Sequence, residues 1–166
     1  MKRFLPYFLI TALIITSFYL VTTTFGGYRE EFKSPLDISN PKIRNDSMGE
    51  GHFGAKRKNG RKHTGVDILA PVGTPVKSAV SGWAIARFDE DGYGRYVKIY
   101  HGGGLTTLYA HLADTTIIWQ RPVKRGEVIG RTGNTGNARF KAVRPHLHFE
   151  VRKSGVPQDP MKGYIR

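Results

Sequence analysis

Beyond residue 46 the chain takes on a texture that leaves few architectures open. Short alternating segments at 83–88, 96–100, 105–112, 128–132 and 146–151 are separated by Asp91-Gly92, Gly102-Gly103-Gly104, Gly126, Gly133 and Gly136. Alternation with a period of two marks half-buried strands, and glycine clusters mark the places where a chain reverses. No stretch after residue 46 sustains a 3.6-residue pattern. The expected fold is mainly β and antiparallel, a compact domain over residues 47–166. Residues 117–119 fit a short helix end or another strand. One domain is the default for 166 residues, and about 120 of them can bury roughly two-thirds of their unfolded surface.

What the composition lacks bounds the chemistry. There is no cysteine, which excludes disulfides, thiolate zinc sites and a lipidated N-terminal cysteine, so any metal must be held by His and carboxylates. Twenty-six Lys and Arg against thirteen Asp and Glu leave a net charge of +13. That balance suits a polyanionic partner, whether nucleic acid, an anionic membrane surface or an acidic polymer, although a basic surface also simply confers solubility. No helix-turn-helix, basic heptad helix or aromatic RNA-binding motif is present, so nucleic acid is not the expected partner.

Export is the reason the N-terminus matters. Lys2 and Arg3 precede a stretch without charge until Arg29, dominated from residue 4 to 21 by Phe, Leu, Ile, Tyr and Val. A helix over residues 4–25 would be about 33 Å long, enough to cross a hydrocarbon core of about 30 Å. Positive charge ahead of it keeps the N-terminus in the cytoplasm and exports the remainder. The run leaves through Val21, Thr22, Thr23, Thr24 and Phe25, without the small-residue pattern that a signal peptidase needs. Residues 1–25 are therefore expected to be an uncleaved anchor in the inner-membrane lipid, with a cleaved signal peptide as the alternative. Residues 26–46, with Gly26, Gly27, Pro35 and Pro41, read as a linker.

Six histidines remain to be placed. His146-Leu147-His148-Phe149-Glu150 is the sharpest pattern: in a strand His146, His148 and Glu150 share one face, and Leu147, Phe149 and Val151 enter the core. Two such imidazoles lie about 6–7 Å apart at Cα, so one can bind a metal while the other faces a substrate. His63-Thr64-Gly65-Val66-Asp67 adds an imidazole and a carboxylate, both suited to zinc. His111 ends the apolar run Leu108-Tyr109-Ala110-His111. His52 and His101 sit in glycine-rich surroundings and are read as loop and turn residues. Two His and one Asp leave a fourth zinc position open, which separates a catalytic site from a structural one. Further histidines beside it can move a proton and stabilise an oxyanion, which is hydrolase chemistry, most naturally at an amide.

From about Gly51 to Pro160 the motifs occur in an order that resembles the lysostaphin/LytM-type zinc endopeptidases of peptidoglycan. They are Phe53-Gly54, Arg61-Lys62-His63-Thr64-Gly65-Val66-Asp67, Ala70-Pro71-Val72-Gly73-Thr74-Pro75-Val76 and Gly82-Trp83. Gly92-Tyr93-Gly94, Val97-Lys98-Ile99-Tyr100-His101, Tyr109-Ala110-His111-Leu112, Val128-Ile129-Gly130, Gly133-Asn134-Thr135-Gly136 and Pro145-His146-Leu147-His148-Phe149-Glu150 follow. The resemblance implies a compact antiparallel domain with a groove across one sheet. It implies one Zn²⁺ per chain, held by His63, Asp67 and His148, with His111 and His146 flanking the water as base and transition-state stabiliser.

It also implies peptidoglycan peptides as substrate and a site outside the cytoplasm, on the periplasmic face of the inner membrane or free in the periplasm. Some members with lost ligands activate other hydrolases, so an envelope protein partner and a silent regulatory role form the competing reading; all five site residues are present here. Two basic stretches depart from the expected pattern: Lys56, Arg57, Lys58, Arg61 and Lys62 before the first motif, and Arg139, Lys141 and Arg144 before the last. The first is expected to form a groove-side loop that selects substrate or meets anionic wall polymer. Glu150 is expected either to accept a hydrogen bond from a site histidine or to form a surface ion pair.

Overall fold

The computed structural model describes residues 31–57 and 60–165. The hydrophobic helix expected over residues 1–25 lies outside them. The regular structure of the described residues is strand apart from a 3-10 turn at Gly136–Arg139 and 3-10 backbone at Gly60, as the alternating pattern requires. A small hairpin, β1 (Asn45–Asp46) and β2 (Gly49–Glu50), precedes β3 (Val66–Leu69), β4 (Pro75–Lys77), β5 (Gly82–Asp89) and β6 (Gly94–Tyr100). Then follow β7 (Leu105–Thr115), β8 (Gln120–Val123), β9 (Val128–Thr132), β10 (His146–Lys153) and β11 (Val156–Gln158). Nine of these strands form one sheet in the order β11-β10-β7-β6-β5-β8, with β3 beside β10, β9 beside β7 and β4 beside β9. Every pairing is antiparallel.

All five segments expected from alternation are strands. Residues 117–119 are neither helix end nor strand. They bend between β7 and β8, with Ile117 buried and Ile118 and Trp119 exposed.

The core lies on the face of β10 that carries Leu147, Phe149 and Val151, all fully buried. Phe149 pairs across to Tyr109, their rings 5.1 Å apart, and burial of one such aromatic contributes about 1.5–3 kcal/mol. The Tyr109 hydroxyl accepts from the Ala79 N–H at 2.8 Å, so this ring costs no unpaired polar atom.

The stretch expected as a linker is packed onto this domain from Phe32 onward. Leu36 is in the core, and Phe32 meets Tyr164 edge-on at 4.9 Å. Ile43 bridges Ile68, and the N–H of Leu69 donates to Lys42 at 2.8 Å. Up to Arg44 the segment borrows the free edge of β3 and forms no regular strand of its own before β1, which is why it lacks alternation.

Candidate metal centre

The register of β3 against β10 builds the centre. Asp67 stands directly opposite His148, so residues 81 positions apart place their side chains on one face as cross-strand neighbours. His63, just before β3, reaches the same point. Its Nε2 lies 3.1 Å from Asp67 Oδ1 and 3.0 Å from His148 Nδ1. The third edge of this triangle, His148 Nδ1 to Asp67 Oδ1, is 2.8 Å. All three residues are buried.

Ring partners define which nitrogen faces the centre. His63 Nδ1 is 2.9 Å from the carbonyl of His52. A carbonyl only accepts, so Nδ1 carries the hydrogen and the Nε2 lone pair points inward. His52 thus contributes through its backbone, while its ring is exposed. His148 Nε2 is 3.1 Å from Glu150 Oε1. Glu150 also accepts from Thr64 Oγ1, from the Tyr93 hydroxyl at 2.8 Å and from Arg152 Nε at 2.7 Å. Burial raises its pKa, but His148, Arg152 and Thr64 outweigh that and hold it down at about 2. Glu150 is therefore an ionised acceptor beneath the site, with no exposure at all, and not a surface ion-pair partner.

Electrostatics favour positive charge here. Burial works against charge on His148, yet its hydrogen bonds to Asp67 and Glu150 carry it up to about 9. Burial likewise penalises the Asp67 carboxylate, and the hydrogen bond from His148, with His63 and His146 close by, nevertheless holds it well below the usual range.

His111 and His146 stand beside this triangle. Their ring centroids are 5.0 Å apart, and His111 is 5.8 Å from His148. His146 follows from the alternation of β10. His111 arises from an irregularity: its φ is +62°, and the β6–β7 register slips between Arg95 and Val97. An added residue in one strand re-aims a side chain, and a non-glycine in this region of backbone space is held there by its surroundings. His111 N–H donates to the Tyr93 carbonyl at 2.9 Å, and Nδ1 donates to Thr135 at 3.0 Å. His146 Nδ1 donates to the Arg144 carbonyl at 2.7 Å. Both rings therefore offer an Nε2 lone pair. Burial first, then the neighbouring His148 and His146, push His111 down to about 3; burial also lowers His146, against the pull of Asp67. The Thr135 carbonyl is placed by contact between two glycines. A Cβ on Gly136 (φ +65°) would come within 2.2 Å of Gly94 N, so neither position admits a side chain.

Sequence reasoning missed several contributors. Arg44 donates to Asp67 Oδ2 from Nε at 3.2 Å and Nη2 at 3.0 Å, and its partner lies 23 residues away with no motif linking them. Arg57, expected to face substrate or wall polymer, turns inward: Nη2 lies 3.5 Å from Asp67 Oδ2 and Nη1 donates to the Glu50 carbonyl at 2.6 Å. Tyr93 lay inside the Gly92-Tyr93-Gly94 motif but carried no assigned role. His101 is not a free turn residue, because it is buried between the Ser81 carbonyl and Thr107 Oγ1 at 2.9 and 2.8 Å.

Among the described residues, His63, Asp67 and His148 form a group whose ligand atoms all lie within 4.8 Å of one another. Bonds of about 2.0–2.1 Å at tetrahedral angles need ligand–ligand edges of about 3.3 Å. Edges of 2.8–3.1 Å approach that with small side-chain adjustment. Two imidazole nitrogens and a carboxylate oxygen converge on one point, where a proton shared between His148 and Asp67 or a metal ion can bind, and the donor set fits a zinc ion.

Residues 61–160 match the sequence profile of Peptidase family M23. The DD-carboxypeptidase/endopeptidase Mpg of Neisseria meningitidis is 44% identical over 101 residues, 61% of this chain and 22% of that protein. Peptidoglycan DD-endopeptidase ShyA of Vibrio cholerae is 37% identical over 103 residues, 62% of this chain and 23% of that protein. This chain thus spans under a quarter of the length of either curated relative. A zinc-containing peptidase from Vibrio cholerae superposes with a TM-score of 0.65 at 32% identity, covering 82% of this chain and 41% of that one. The catalytic domain of lysostaphin from Staphylococcus simulans superposes with a TM-score of 0.57 at 32% identity, covering 66% and 86%.

Proposed function

Because the chain belongs to Peptidase family M23, we propose that it is a zinc-dependent endopeptidase that hydrolyses peptide cross-links of bacterial peptidoglycan. The observation that carries the reading is the convergence of His63 Nε2, Asp67 Oδ1 and His148 Nδ1 beside two rings whose Nδ1 atoms are tied to carbonyls. The first three atoms would hold Zn²⁺. When bound, it polarises the scissile carbonyl and acidifies water.

The protein's own residues supply the rest. His111 and His146 present neutral acceptors. One Nε2 takes a proton from the attacking water, the C–N bond of the substrate breaks, and that proton passes to the leaving amine. The second ring stands beside the oxygen on which charge builds. Tyr93, whose phenol is pushed up to about 12 by burial and by Glu150, stays protonated and keeps donating to Glu150.

A cavity of about 190 Å³ adjoins Glu150, lined by Tyr93, Tyr96, Lys98, Thr106, Leu108 and Arg152. Its floor is the same sheet face that carries His148, so an extended peptide crossing the site would continue into it. The names of the relatives favour a DD cross-link. The complete His and Asp set favours an enzyme over a silent regulator. Residues 1–25 would anchor the protein at the periplasmic face of the inner membrane, or be removed to release it.

The test is digestion of purified sacculi with the full chain, with and without a zinc chelator, followed by mass spectrometry of the released muropeptides. Chelator-sensitive loss of cross-linked dimers is expected, and the products name the bond. Intact dimers from a protein that holds one zinc per chain would overturn the enzymatic reading in favour of a regulator.

A further inference from the structure

The segment ahead of the family-matched residues reaches both halves of the site. We propose that Arg44 and Asp46 are positioning residues: Arg44 restricts Asp67 to metal binding through a single oxygen, and Asp46 extends the same anchorage to His146. This rests on the metal-site reading above.

Asp67 divides its two oxygens. Oδ1 faces His63 and His148. Oδ2 faces away and accepts from Arg44 Nε at 3.2 Å, Arg44 Nη2 at 3.0 Å and Arg57 Nη2 at 3.5 Å. A guanidinium only donates and an ionised carboxylate only accepts. With Oδ2 occupied by N–H groups, Oδ1 is the oxygen left for a cation, and a two-pronged charge-assisted grip also fixes the carboxylate plane. The backbone reinforces this: Arg44 N–H donates to the Asp67 carbonyl at 2.8 Å, and Gly51 bridges the two residues, donating to Arg44 at 2.7 Å and accepting from Asp67 at 2.9 Å. A Cβ on Gly51 would lie 2.7 Å from Asp67 Cβ, so the strap fits only against glycine.

Arg44 is not satisfied by Asp67 alone. Its Nη1 donates to Asp46 Oδ1 at 2.6 Å. Asp46 Oδ2 accepts from the Arg144 N–H at 3.1 Å, and the Arg144 carbonyl accepts from His146 Nδ1 at 2.7 Å. One path of hydrogen bonds therefore runs from the ligand Asp67 through Arg44, Asp46 and the Arg144 backbone to His146. The Arg44 and Asp46 side chains are only 7% and 8% exposed, so water has little access to the pair they form, while the Asp46–Arg144 bond lies nearer the surface. The guanidinium spans two carboxylates at fixed angles, a task that the single ammonium of lysine does not perform. Both residues precede residue 61, where the family match begins, so this support comes from the chain's own N-terminal strap.

The experiment compares the full chain with its Arg44→Met, Arg44→Lys and Asp46→Asn variants. Zinc affinity is read by competition with a chromophoric chelator, coordination by the visible spectrum of the cobalt(II)-substituted protein, and turnover on cross-linked muropeptides as separate kcat and KM. Arg44→Met is expected to lose ten- to a hundredfold in zinc affinity, the range for removing a group that orients a metal ligand, and to shift the cobalt spectrum. Arg44→Lys should recover part of the affinity without restoring the spectrum. Asp46→Asn should lower kcat with KM unchanged, because it acts through His146. If Arg44→Met fails to fold, Arg44→Lys decides. Wild-type affinity and spectrum in folded Arg44 variants, with loss confined to thermal stability, would overturn the proposal while leaving the metal site standing. A wild-type protein that takes up no zinc would overturn the metal site and this inference together.

Discussion

His148 and His111 are the same residue type, 5.8 Å apart between ring centroids and 6% and 4% exposed, yet the fold drives their charge states in opposite directions. Burial penalises the cation in both. In His148 the carboxylates of Asp67 and Glu150 outweigh it and carry the ring up to about 9. In His111 the Asp67 carboxylate and the Thr135 carbonyl do not offset burial, His148 and His146, and the ring falls to about 3. The difference shows that partner chemistry, and not depth in the protein, sorts these histidines into a cluster that attracts a cation and a pair that keeps its lone pairs.

The harshest way to break that contrast is to remove the carboxylate. Asp67→Ala should abolish zinc uptake and hydrolysis. It also leaves Arg44 with one anion fewer, at a cost of about 3–5 kcal/mol for a broken buried ion pair, checked by metal analysis and denaturant unfolding. Next, His111→Ala and His146→Ala should each slow hydrolysis of cross-linked muropeptides by about 10²–10⁴-fold, the usual weight of a positioned acid–base group, as measured by steady-state assay. Glu150→Gln keeps the acceptor but removes its charge, so zinc affinity should fall about ten- to a hundredfold, read by chelator competition.

The metal-free protein sharpens the contrast through pH. The raised pKa of His148 stabilises the fold fully below the ordinary 6.5 of an imidazole, and that contribution is lost as pH climbs toward about 9. The depressed pKa of His111 contributes fully above 6.5 and is lost as pH falls toward about 3; Asp67 and Glu150, also depressed, add to this acid limb. Thermal midpoints across pH should show both limbs, with Glu150→Gln flattening the alkaline one and His111→Ala easing the acid one. The smallest effect is expected from Tyr93→Phe, which removes one of several bonds to Glu150, about 0.5–1.5 kcal/mol by denaturant unfolding.

The sequence made the long strands and the chemistry of β10 legible, because alternation puts His146, His148 and Glu150 on one face wherever the strand is placed. β4, β8 and β11 are three or four residues long, too short to show a period. β3 is buried at Val66, Asp67 and Ile68 in succession, so it does not alternate at all. The pairing of Asp67 with His148 is a matter of register, which neither segment encodes alone; the family resemblance supplied it. The left-handed backbone of His111 arises from a strand mismatch and leaves no mark in Leu108-Tyr109-Ala110-His111. Arg44 sits in a proline-bearing, mixed-charge stretch that has the composition of a tether, and its role appears only when the chain folds back onto β3.

The most direct test of the division between cluster and pair is zinc stoichiometry in single variants, measured by elemental analysis after dialysis against trace zinc. The account predicts one zinc per chain in wild type and in His111→Ala, and none retained by His63→Ala or His148→Ala. Full zinc in His63→Ala, or its loss in His111→Ala, would contradict it.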